Sequence, residues 1–126
     1  MHMVLVDDNE INLLIFEHHA QMLGICTHCF TDPLDALAYL KESQCDMIIT
    51  DYMMPIMDGL AFVRAFRKIS SAYVPIILST AVNNDDALRA KAFEAGVDDF
   101  LPKPIDTTIF RTTVISLLKK GNRPVD

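Results

Sequence analysis

Short apolar runs alternate with amphipathic stretches five times along this chain, and that alternation limits the fold more than any other feature. Met3–Val6, Ile25–Phe30, Asp46–Thr50, Val74–Thr80 and Val97–Leu101 read as strands. The runs at Asp46–Thr50 and Val74–Thr80 are nearly continuous in apolar residues, as strands covered on both faces should be. Helical stretches follow each strand. The first runs from about Glu10 to Leu23, and there Ile11, Leu14, Ile15, His18 and Met22 recur at spacings of three and four and form one helix face. The second opens at Thr31-Asp32-Pro33, where Asp32 suits an N-cap and Pro33 the first helical position. Asp58-Gly59 precedes a third helix packed through Leu60, Phe62, Val63 and Phe66. Asn83-Asn84-Asp85-Asp86 offers caps for a fourth that ends at Gly96, and Ile105 to about Lys120 forms the fifth.

Strict alternation of this kind predicts an α/β fold: a (βα)5 doubly wound, five-stranded parallel sheet, flavodoxin-like, with helices on both faces. Crossovers are right-handed by chain chirality. With 126 residues, 51 % of them hydrophobic, the chain holds one core and is not disordered. Residues 1–120 form the domain, and 121–126 a tail or the start of a linker. Eleven basic against seventeen acidic side chains give a net charge of −6, which argues against direct nucleic-acid binding. No apolar run reaches membrane-spanning length and no signal-peptide pattern is present, so no membrane association and a cytoplasmic location are expected. The three cysteines, Cys26, Cys29 and Cys45, fit a reducing compartment. Cys26-Thr27-His28-Cys29 resembles a metal or redox motif, but on a strand the two thiols face opposite ways. His18 and His19 are neighbours on a helix and do not make a joint metal site.

In sheets of this class, ligands bind beyond the carboxyl ends of the strands. The first strand ends at Asp7-Asp8, the third at Thr50-Asp51 and the fourth at Ser79-Thr80, while the fifth leads into Lys103. Three carboxylates, a hydroxyl and an ammonium are thus expected at one end of the sheet. Alone, an Asp pair is a turn or cap, a Thr says little and a Lys is a solvated charge. Their joint placement after different strands is what points to a site. Asp7, Asp8 and Asp51 suit a hard divalent cation with oxygen ligands, Mg2+ first and Mn2+ as the alternative. A carboxylate beside such an ion and a lysine can attack phosphorus to give an acyl phosphate. Lys103 and Thr80 would then meet the phosphoryl oxygens.

The motifs Val-Asp7-Asp8-Asn9, Thr50-Asp51-Tyr52-Met53-Met54-Pro55-Ile56-Met57-Asp58-Gly59, Ser79-Thr80-Ala81 and Phe100-Leu101-Pro102-Lys103-Pro104 occur in this order. With them the chain resembles the receiver (CheY-like) domain of two-component response regulators, from Met3 to about Lys120. The resemblance implies that Asp51 is the phosphoacceptor and that Asp7, Asp8, Asp51 and the Met53 carbonyl hold Mg2+. It further implies that Thr80 and Phe100 form the switch and that Lys103-Pro104 is a cis peptide. Met53 and Val82 would tune the lifetime of the acyl phosphate; both are apolar, which implies slow loss of the phosphoryl group. Implied partners are a histidine kinase or histidine phosphotransfer protein, and an effector domain in the same chain or a separate target protein. Activity is limited to the domain's own phosphotransfer and dephosphorylation. A phosphorylation-dependent homodimer is left open, with Lys91, Asp98, Asp99 and Arg111 as candidate surface residues. The rival readings are a pseudo-receiver interaction module, an aspartyl-phosphate phosphatase of the haloacid dehalogenase type and a flavodoxin-like cofactor binder. The phosphatase would need an Asp where Met53 stands. The cofactor binder would need a glycine-rich loop where Asp7-Asp8-Asn9 stands.

Overall fold

The computed structural model describes residues 1–81 and 85–121. Strands β1 (His2–Val6), β2 (Cys26–Phe30), β3 (Met47–Asp51), β4 (Ile76–Thr80) and β5 (Asp99–Pro102) pair in parallel in the order β2-β1-β3-β4-β5. Each is followed by a helix: α1 (Glu10–Met22), α2 (Pro33–Glu42), α3 (Gly59–Ile69), α4 (Asp86–Ala95) and α5 (Thr107–Gly121). The chain steps from β1 outward to β2, then returns past β1 to β3, β4 and β5. Its direction of travel therefore reverses between β1 and β3, and a crevice opens at their carboxyl ends.

Alternate residues along each strand point to opposite faces, and both faces are covered. Val4, Val6, Ile48, Ile76 and Leu78 pack with α2, α3 and α4 through residues such as Leu37, Phe62 and Ala92. Met3, Leu5, Ile49, Ile77 and Leu101 pack with α1 and α5 through Leu13, Phe16, Phe110 and Val114. The pleat thus divides the sheet side chains into two sets, and the same division continues into the residues at the strand ends.

The expected caps at Asp32 and before α4 form, and Asp58 adds a third. The Asp32 carboxylate accepts the Leu34 N–H at 2.8 Å and the Asp58 carboxylate the Ala61 N–H at 2.8 Å. Of the four candidates before α4, Asp85 is the cap, accepting from Leu88 N at 3.1 Å. Gly96 closes α4 with φ of 116°, a conformation glycine adopts without strain.

Several expectations need correction. β2 starts at Cys26 rather than Ile25, β3 spans Met47–Asp51 rather than Asp46–Thr50, and β4 starts at Ile76 rather than Val74. The face of α1 that carries Ile11, Leu14, Ile15 and Met22 looks outward, and Leu13, Phe16 and Ala20 are buried instead. β5 begins at Asp99, because Val97 and Asp98 belong to the turn that joins α4 to the sheet. There the Asp98 carboxylate accepts from Ile76 N, Arg67 Nη2 and Tyr73 Oη at 2.8, 3.0 and 2.6 Å. Asp98 is therefore a tie within the domain rather than a free surface charge. α5 begins at Thr107, after Ile105, with the Asp106 carboxylate accepting the Ile109 N–H at 2.9 Å.

Among the described residues, no helix is long and apolar enough to cross a membrane. The cysteines are all free. Burial and the nearby Glu17 carboxylate push the Cys29 thiol up to about 11, and burial does the same for Cys45. Neither is poised as a nucleophile.

Candidate functional site

The first strand delivers Asp7 to the crevice fully buried, with exposed Asp8 beside it. Asn9 then turns the chain into α1. Its backbone N–H donates to Asp7 Oδ1 at 2.9 Å, and its side chain caps the helix by accepting from Ile11 N at 2.9 Å. One short turn thereby fixes the Asp7 carboxylate and starts the helix. Asp51 ends β3 and is nearly buried. A ligand oxygen from each of Asp7, Asp8 and Asp51 lies within 4.8 Å of the other two.

Behind Asp51 the chain loops through residues 52–58 and is clamped at Gly59, whose N–H donates to the Tyr52 carbonyl at 2.7 Å. A Cβ on Gly59 would collide with the Asp51 carbonyl oxygen, so only glycine lets α3 start this close to the acceptor. The loop is also where Ile56 takes a φ of 73°, a strained value for a β-branched residue, as Met57 N donates to the Pro55 carbonyl at 2.8 Å. Met54 is buried, Met57 packs on the core and Met53, two residues past Asp51, stands 69 % exposed.

Lys103 reaches in from the far side. It follows β5, and its peptide bond to Pro104 is cis. Its Nζ donates to Asp51 Oδ1 at 2.8 Å and to Asp7 Oδ2 at 3.2 Å. Burial pushes the Asp51 carboxyl above its ordinary value; the Lys103 hydrogen bond pulls it down and the Asp7 charge raises it again. Burial works against the Lys103 ammonium, but the Asp51 hydrogen bond and the charges of Asp7 and Asp51 outweigh it and hold its pKa up. One ammonium facing three carboxylates leaves the site negative. Such a donor set, all hard oxygens, fits a Mg2+ ion that keeps several waters.

The switch candidates lie on the opposite pleat from Asp51. Thr80 ends β4, nearly buried, and by strand alternation lies on the pleat opposite to Asp51. Phe100 on β5 is half-buried and faces away from the site, edge-on to Phe93 with ring centres 5.2 Å apart. The Arg89 guanidinium lies 4.7 Å over its ring. Val82, the second residue expected to tune the acyl-phosphate lifetime, lies outside the described residues. Asp7, Asp8, Asp51 and Lys103 are thus brought together, whereas Thr80 and Phe100 lie on the other pleat of the sheet.

In the sequence Asn9 and Gly59 stand only as motif members, Gly59 also as a helix break, and nothing there marks Arg89. Ser79 is fully buried, and among the described residues its hydroxyl has no hydrogen-bond partner. The Ser79-Thr80 pair was visible at the end of a strand, but which hydroxyl shares the Asp51 pleat follows only from the register.

The chain is similar to known proteins along nearly its whole length. The response regulator receiver domain model matches residues 3–115. The chain is 38 % identical over 122 residues to the cyclic di-GMP phosphodiesterase response regulator RpfG of Xanthomonas campestris, with 94 % of this chain and 32 % of that protein covered. The chain therefore spans about a third of that relative's length. Among solved structures it is similar to chemotaxis protein CheY4 of Vibrio cholerae, with a TM-score of 0.86, 27 % identity and coverage of 91 % and 96 % of the two chains. It is likewise similar to the signal receiver domain of an HD domain-containing protein from Pseudomonas fluorescens, with a TM-score of 0.88, 25 % identity and 98 % of each chain covered. On that family match over residues 3–115, the chain belongs to the response regulator receiver domains, the phosphorylatable signalling modules of two-component systems.

Proposed function

We propose that Asp51 accepts a phosphoryl group from the phosphohistidine of a histidine kinase or histidine phosphotransfer protein, in the cytoplasm, and that the adduct controls an effector in the same chain or a separate target. The observation that carries the reading is the Lys103 ammonium bridging Asp51 and Asp7, with Asp8 completing an acidic crevice at the switch point of the sheet. An Asp51 carboxylate oxygen attacks phosphorus, the P–N bond to the donor imidazole breaks, and its electron pair stays on the imidazole nitrogen. Lys103 supplies fixed positive charge to the phosphoryl oxygens as that bond forms. Mg2+, held by Asp7, Asp8, Asp51 and the Met53 carbonyl, would neutralise further charge on the transferred group.

A new dianionic group at Asp51 shifts the conformational equilibrium only through contacts that differ between the two states. Thr80 and Phe100 are the residues for that role. A hydroxyl drawn to a phosphoryl oxygen vacates space on the β4 end, and Phe100 exchanges its Phe93 and Arg89 contacts for that space. Residues 1–120 act as the domain.

Met53 offers no polar atom from its side chain to orient a water beside the acceptor, which supports slow hydrolysis of the acyl phosphate. Met53→Asn changes the phosphoryl half-life by several-fold, read by loss of the adduct after donor removal.

Beryllofluoride with Mg2+ tests the switch. Wild-type protein should bind it, and the NMR signals of Phe100, Phe93 and Arg89 should shift together. Asp51→Asn should show neither. Failure of the wild type to bind would favour the pseudo-receiver reading.

A further inference from the structure

β3 and β4 pair so that Asp51 lies opposite Ser79, and Ser79 lies opposite Leu101 on β5. Paired residues of parallel strands point to the same face. The packing of their strand neighbours confirms the side: Ile49, Ile77 and Leu101 all belong to the core under α1 and α5. Ser79 therefore shares the pleat of Asp51, whereas Thr80 occupies the other. To join Asp51 on β3 and Asp7 on β1, the Lys103 side chain must start beyond β5 and cross the end of β4, where Ser79 lies.

Among the described residues one buried hydrogen-bonding group in this small region is unmet, and the ammonium beside it can change partners. The Ser79 hydroxyl is fully buried without a partner, an arrangement that is costly unless another state of the site relieves it. An ammonium has three donors, and Lys103 directs them to two carboxylates, Asp51 and Asp7. A cation bound by Asp7 competes with Lys103 for that carboxylate. The lysine then needs a neutral acceptor on its path.

We propose that Ser79 is a positioning residue for Lys103: its hydroxyl oxygen accepts a hydrogen bond from the ammonium once a divalent cation engages Asp7, and so keeps the lysine aimed at Asp51. The proposal rests on the receiver reading of the site and adds a residue to it. The bond is made in the loaded state alone. Removing the hydroxyl should therefore weaken loading without destabilising the free protein, because the free protein gains nothing from it.

Ser79→Ala and the near-isosteric pair Ser79→Thr and Ser79→Val test this. Mg2+ affinity is read by titration of the Tyr52 signals and thermal stability by melting in a chelator. The lysine ammonium NMR resonances are followed with Mg2+ and with Mg2+ plus beryllofluoride. Ser79→Ala should melt at or above the wild-type temperature without metal, yet bind Mg2+ about fivefold more weakly, the effect of one ordinary net hydrogen bond. Ser79→Thr should bind Mg2+ more tightly than Ser79→Val, since the two differ in the hydroxyl and hardly in shape. A slowly exchanging Lys103 ammonium signal should be present in loaded wild type and lost in Ser79→Ala. Equal Mg2+ affinities in the Thr and Val variants, or in wild type and the Ala variant, would overturn the proposal. A wild type that binds Mg2+ but takes up no phosphoryl group would overturn the receiver reading instead, and the Mg2+ comparison would still decide the role of Ser79.

Discussion

Gly59 and Asp51 make a pair in which a backbone approach decides the chemistry. Any side chain at residue 59 meets the Asp51 carbonyl, so Gly59→Ala must push the acceptor strand or the start of α3 aside. The expected cost is about 1–3 kcal/mol by denaturant unfolding, typical of overpacking in a filled interior, with slower phosphorylation at Asp51. Asp51 itself trades stability for reactivity. Folding raises its pKa, chiefly through burial, so the folded chain binds this proton more tightly than the unfolded chain. The ionised carboxylate is then a penalty, present in full above the folded pKa and fading as pH falls through that value to the unfolded one. Asp51→Asn should therefore be at least as stable as wild type at pH 7 without metal, with the difference closing near pH 4, as thermal melts across pH will show. The acidic cluster and Lys103 could be read directly from the sequence, since each sits just past a strand whose apolar run is easy to see. Ser79 and Gly59 could not, because their importance lies in who stands opposite them across the sheet.

At the level of the element, α1 shows how far periodicity goes. Two stripes interleave on it, Ile11, Leu14, Ile15 and Met22 on one side and Leu13, Phe16 and Ala20 on the other, and both have helical spacing. The sequence identifies the helix, but which stripe faces the sheet is settled by packing on Phe110 and its neighbours. The stripe left outside begins just after Asp7 and Asp8, and on the proposed reading it is the surface that meets a protein bringing a phosphohistidine to Asp51. Lysine at both Ile11 (68 % exposed) and Leu14 (65 % exposed) should leave the fold intact. Transfer from a phosphohistidine protein should slow by about tenfold or more, while uptake from phosphoramidate stays unchanged. Equal slowing of both would place the effect in the acid site instead. Strand limits were the least readable part. Val97 and Asp98 look like the start of β5, but Asp98 is drawn into the turn by Ile76 N, Arg67 and Tyr73, and no local pattern announces such a tie.

For the whole molecule, topology does what no single motif could. Placing β1 and β3 side by side brings Asp7 and Asp51, 44 residues apart in sequence, to one crevice, and β5 sends Lys103 across β4 to join them. The alternation of strand and helix was enough to foresee the parallel sheet and the end of it that carries the chemistry. It could not foresee the outward setting of Phe100 under Arg89, which depends on how α4 leans on β5. The central claim is that this crevice makes Asp51 a phosphoacceptor in a metal-dependent way. Intact-mass measurement of wild type and Asp51→Asn after phosphoramidate treatment, with Mg2+ or with a chelator, tests it most directly. The account predicts one added phosphoryl group on wild type with Mg2+, mapped to Asp51, and none on Asp51→Asn or after chelation. An adduct of equal yield on Asp51→Asn, or one indifferent to the chelator, would contradict it.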